Sequence, residues 1–111
     1  MNIEEMTIKQ ARELAALFAG EKQDNSHPYE IGQPYLIRTV TMIDTGIVVK
    51  VTPQEIVPKD AAWIADTGRF ANSLKEVDFN EVEPFPDGEV IVGRGSVIDA
   101  VKITKAPRKQ K

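Results

Sequence analysis

The sequence contains no cysteine, which excludes a disulfide framework and a thiolate metal site. It has one histidine, His27, in a loop before a proline. Metal centres and acid–base sites need several partners, so a lone loop histidine points to a structural role. No run approaches the roughly 18 apolar residues of a membrane span, and no membrane partner is expected. Aromatic residues are only 6% of 111, so the place of each one matters. The opening MNIEEMTIKQ is acidic and polar, unlike the start of a secretory leader. The expectation is a cytoplasmic protein, of its own cell or of a virus inside that cell.

What is present is ordinary for a globular chain, at 41% hydrophobic and 28% charged. The length suits one domain, 1–103, followed by a basic segment, 104–111. A domain of this size buries about two-thirds of the surface its unfolded chain exposes. So modest a core favours self-association, and a homo-oligomer is expected. The net charge of −3 is unevenly spread. Lys102, Lys105, Arg108, Lys109 and Lys111 leave 9 of the 14 basic residues against all 17 acidic ones in the rest of the chain, a net −8. An acidic body binds nucleic acid poorly, because phosphate neutralisation drives such binding. The basic segment suits phosphate or an acidic partner, but the expectation is a disordered tail.

The element pattern predicts α+β, mainly β. Thr7 and Gln10 match a capping box. Ile8, Ala11, Leu14 and Phe18 then recur at helical spacing, and Gly20 stops a helix over 7–19. From Tyr35 the period becomes two. YLIRTVTM and IVVKV read as strands around an Asp44-Thr45-Gly46 turn. Pro58 marks a strand end, an edge or a bulge, with AAWIA continuing beyond it. The meander spans 35–65, a loop 71–88 opens with a helical turn near Ser73, and a strand pair at 89–103 flanks Gly93-Arg94-Gly95. An N-terminal helix followed by a strongly bent five-stranded antiparallel sheet, or an open barrel, is expected.

This order resembles the Sm-like and SH3-like small barrels, with DTGIVVKV supplying Gly46 and VIVGRGSVIDAV supplying the Arg94-Gly95 step. Val49 and Lys50 stand where that family has a further glycine, and its aspartate and asparagine are absent. The resemblance implies a barrel, and RNA binding only as an alternative. The stretches HPYEIGQPYLIRTVTMIDTG, AAWIADTGRF and NEVEPFPDGEVIVGRGSVIDAV also resemble a family of small, mostly uncharacterised proteins of tailed phages and prophages. That likeness implies a phage-encoded accessory protein.

No catalytic or metal-binding constellation, and no cofactor, is expected. Asp-Thr-Gly occurs at 44–46 and 66–68, superficially like the triplets of aspartic proteases. Both are more simply turns in which the aspartate bonds its own backbone two residues on. Binding chemistry is better represented. Arg38, Arg69 and Arg94 are planar donors suited to phosphate. Gly68, Gly93 and Gly95 allow backbone amides to approach an anion, and Thr67 beside Gly68 is a further candidate ligand-binding residue. Trp63 suits either base stacking or the core at a strand end, with Phe70 as its cap. The expected function is non-catalytic: a homo-oligomer that sequesters a small anionic, nucleotide-like signal. Alternatives are an RNA-binding ring and a structural or host-protein interaction module.

Overall fold

The computed structural model describes residues 26–87 and 89–111, so the helix expected over 7–19 lies outside the described residues. A run of three buried apolar residues after Pro34, Tyr35 to Ile37, forms the centre of β1 (Pro34–Thr39), and the chain returns as β2 (Ile43–Val51). Thr39 closes the turn between them: its N–H donates to the Met42 carbonyl (2.8 Å) and its hydroxyl accepts from the Met42 N–H (3.0 Å). The expected turn at Asp44-Thr45-Gly46 is therefore not a turn; it lies inside β2. Gly46 marks close backbone approach instead, since a Cβ there would stand 2.6 Å from the Pro58 Cβ.

The Thr52-Pro53-Gln54 turn forms as expected, with the Thr52 hydroxyl accepting from the Glu55 N–H (2.9 Å). β3 (Glu55–Asp66) then runs through Pro58 as one long strand. Two register shifts make room for this proline. Beyond it, Asp60 and Ala61 stand opposite Gly46 alone, and Asp60 takes a left-handed φ of 51°. This is a bulge, which bends the strand and increases its twist.

The segment expected as a loop over 71–88 opens with the helical turn expected near Ser73 and, over its described residues, carries further regular structure. The Gly68 N–H donates to Asp66 Oδ1 (2.9 Å), so the second Asp-Thr-Gly is the expected turn. Helix α1 (Phe70–Glu76) follows, its buried Ser73 hydroxyl donating to the Thr67 carbonyl. β4 (Glu81–Pro84), a bridge from Glu89 to Lys59, and β5 (Val92–Gly93) then run in turn along one flank of β3. A single 3₁₀ turn (Arg94–Ser96) leads into β6 (Val97–Lys102), which pairs with β1. Six strands thus replace the expected five, in the order β4-β3-β2-β1-β6 with β5 also on β3. The sheet is strongly irregular and not closed, with β4 and β6 at its ends.

Apolar side chains collect in two clusters. One joins Leu36, Ala62, Ile64, Phe79 and Val82 beneath Phe70 and Leu74 of α1. The other joins Tyr35, Ile37, Val48, Val51, Ile56 and Val92. His27 borders the second, its ring nitrogen accepting the Tyr29 N–H (3.1 Å). The basic segment 104–111, expected to be loose, is tied down. Lys111 and Val82 exchange two backbone hydrogen bonds of 3.0 Å, and Lys111 Nζ pairs with Asp78. Arg108 donates to the carbonyls of Ala61 (2.7 Å) and Phe85 (3.0 Å). Those backbone acceptors, on β3, on β4 and just past β4, are what order it. Among the described residues no helix is long and apolar enough to cross a membrane.

Candidate functional site

The three candidate arginines fall in different places. Arg94 fastens the 3₁₀ turn to the β2–β3 turn: its backbone N–H donates to the Gln54 carbonyl and its guanidinium to the Thr52 carbonyl, both at 2.8 Å. Gly95 beside it is exposed, with nothing within 4 Å of where a Cβ would stand. Arg69 is exposed at the start of α1, next to Thr67 and Gly68. Arg69 and Arg94 therefore sit near opposite ends of the twelve-residue β3. Arg38, on β1, donates from Nε to Asp99 Oδ1 (2.7 Å) and from a terminal nitrogen to the other oxygen. That hydrogen-bonded pair lowers the Asp99 carboxyl below its ordinary range. The Arg38 guanidinium also lies 4.9 Å from the centroid of the Phe70 ring, a cation–π contact. Arg38 and Phe70 are thus brought together, but Arg38 already has an anion.

Among the aromatic candidates, Trp63 faces open space. It is 40% exposed, although its neighbours Ala62 and Ile64 are buried. The alternation of a strand explains this, because successive residues of β3 point to opposite sides. Direct pairing across the ladder sets Ile37, Asp44, Trp63 and Glu83 in one row, from β1 to β4. Trp63, Asp44 and Glu83 join Met42, Pro84, Phe85 and Pro86 around a groove of about 420 Å³. Each wall has a local cause. Met42 is the residue that leaves the Thr39 turn. Phe85 is held where β4 ends, its N–H donating to the Ala61 carbonyl (2.9 Å), a carbonyl that Arg108 also holds.

The electrostatics of the groove are one-sided. Burial alone pushes the Asp44 carboxyl above its ordinary value, and no described cation pairs with it. Glu83 is exposed and accepts one long contact from the Gln110 amide (3.4 Å). Among the described residues of the lining, the indole N–H of Trp63 is the only side-chain donor. Two prolines of the wall also lack a backbone N–H. Chemically, the groove offers carboxylate oxygens, a π face and apolar surface.

Met42, Asp44, Glu83 and Phe85 were missed as site residues. The signal for Asp44 was present, since an aspartate inside a β-branched run is out of place in a strand. Nothing local ties it to Glu83. Among the described residues no group of three or more histidine, aspartate or glutamate side chains is placed to hold a metal ion. Comparison of the chain with protein-family models, with curated proteins and with solved structures gives no match.

Proposed function

We propose that this protein is a non-catalytic binding module and that the groove around Trp63 is its recognition site, taking an apolar group presented by a protein partner. One observation carries the reading: the only tryptophan stands 40% exposed in a walled groove on a four-strand row, while the other large aromatics among the described residues are more buried. Tryptophan is a favoured anchor of interfaces because it buries much area and loses little side-chain freedom. The resemblance to small tailed-phage proteins supplies a context, an accessory protein acting on a host or virion component.

A small anionic ligand is favoured less by this geometry. It would need Arg69 and Arg94 together, whereas they flank opposite ends of β3. An NMR fragment screen separates the two readings. Apolar fragments are expected to move the Trp63 indole and Met42 methyl signals, with nucleotides silent there. Nucleotide-induced shifts at Arg69 or Arg94, with Trp63 unmoved by every fragment, would overturn the proposal.

A further inference from the structure

We infer that the occupant of the Trp63 groove carries a cation: a lysine or arginine side chain of a partner segment, flanked by apolar residues. This rests on the groove being the recognition site and specifies what enters it. Asp44 and Glu83 stand on the strands to either side of Trp63, at directly paired positions. Neighbouring strands lie about 4.8 Å apart, so the indole has a carboxylate roughly one strand spacing away on each side. A cationic head over the ring meets the π face and both carboxylates at once.

Three further observations point the same way. Asp44 is half-buried without a cation among the described residues, whereas Asp99, Glu30 and Asp78 each have one, in Arg38, Lys102 and Lys111. An unpartnered, partly desolvated carboxylate is costly and gains most from a cation brought by a ligand. The walls then suit the stem. Met42, Pro84, Phe85 and Pro86 offer apolar surface along which the methylenes of lysine or arginine lie while the head stays with the acids. Finally, the described residues of the lining supply four carboxylate oxygens and a single side-chain donor, which disfavours an anion.

The single tryptophan reports on the groove directly. The full chain is titrated with a short peptide bearing leucine-lysine-leucine, and with the same peptide carrying norleucine or glutamate in place of lysine. The lysine peptide is expected to shift Trp63 fluorescence with an affinity about tenfold above the norleucine peptide, the worth of one desolvated cation contact. That margin should shrink as salt is raised. It should close in the Asp44→Asn, Glu83→Gln double variant, whose circular dichroism and melting temperature confirm folding. Glu83→Gln alone, a change at an exposed edge position, should close part of it. Equal binding of the lysine and norleucine peptides would overturn the cation and leave the groove reading standing. Binding of neither peptide would overturn both. A fluorescence shift on concentrating the protein alone would assign the groove to a second copy and overturn the partner segment.

Discussion

Leu36, Thr45 and Ala62 stand in one cross-strand row, fully buried, and one residue further along the same three strands Ile37, Asp44 and Trp63 stand in a row on the opposite side. The first row lies beneath α1 and the second emerges into solvent at Trp63 and Glu83. The buried row holds a polar atom with no partner, the Thr45 hydroxyl. The open row holds a carboxylate with no cation among the described residues, Asp44. Both groups are unmatched, but only the second can be reached by a ligand. The comparison separates what holds the fold together from what is left for recognition.

The largest expected effect tests that separation on aromatic residues. Phe79 is 1% exposed in the buried cluster, and Phe79→Ala should cost about 3–5 kcal/mol. Trp63→Ala removes a larger ring but should cost only about 1–2 kcal/mol, because part of that ring is already in water. It should nevertheless abolish binding at the groove. Urea denaturation of both variants checks this, and equal losses would erase the distinction between the rows.

Next comes Gly46, the residue after Thr45 of the buried row. In Gly46→Ala the added Cβ would lie 2.6 Å from the Pro58 Cβ and 3.1 Å from the Lys59 carbonyl. Neither neighbour is a flexible side-chain end, so β2 and β3 must separate. A loss of about 1–3 kcal/mol is expected. Because Gly46 lies between Thr45 and the bulge, the change should also disturb the Trp63 signal in fluorescence. A destabilised variant with unaltered Trp63 emission would show that the open row does not depend on this close approach.

Gly46 also shows why parts of the fold were legible in the sequence and parts were not. Asp66-Thr67-Gly68 reads correctly as a turn because the reason is local: Asp66 bonds the Gly68 amide, and Gly68 has a φ of 72°. Asp44-Thr45-Gly46 carries the same letters, but its glycine answers to Pro58, a partner that the sequence does not mark. Pro58 reads as a strand end, an edge or a bulge; it is not a strand end, and register shifts stand on both sides of it. Its place within a single strand depends on register shifts against β2. The basic segment reads as a loose tail because its ties are backbone carbonyls of Ala61 and Phe85, which no side-chain pattern reveals. The site fared similarly. Trp63 was singled out for its rarity, whereas Asp44 and Glu83 joined it only once the pairing of three strands was known.

A smaller effect of opposite sign is expected in the buried row. Thr45→Val keeps the branched shape and removes a hydroxyl that has no hydrogen-bond partner. A buried, unsatisfied polar group costs about 1–3 kcal/mol, part of which is recovered when an apolar group replaces it. The variant should therefore gain about 1 kcal/mol, read from its denaturation midpoint. Binding at the groove should not change, since Thr45 faces away from it. A loss of stability would mean that the hydroxyl is satisfied in solution.

The smallest effect, and the most telling for the open row, is the pH dependence of Asp44→Asn. Burial raises the Asp44 carboxyl above its ordinary value of 3.8. The folded protein thus holds that proton more tightly than the unfolded chain. The resulting stability is fully present below the unfolded value and is lost as pH rises through the folded one. Asp78 and Asp99 act in the opposite sense. Hydrogen bonds from Lys111 and Arg38 lower them, so their contribution is present above the unfolded value and lost on acidification through the folded one. Asp44→Asn removes only the first of these contributions. The variant should be more stable than the parent at neutral pH, and the difference should vanish as pH falls below the ordinary aspartate value. An advantage that persists in acid would trace to packing and not to charge. If the advantage follows pH as expected while the variant loses affinity for the lysine peptide, Asp44 is a charge that the fold tolerates at a cost and that a cationic partner relieves.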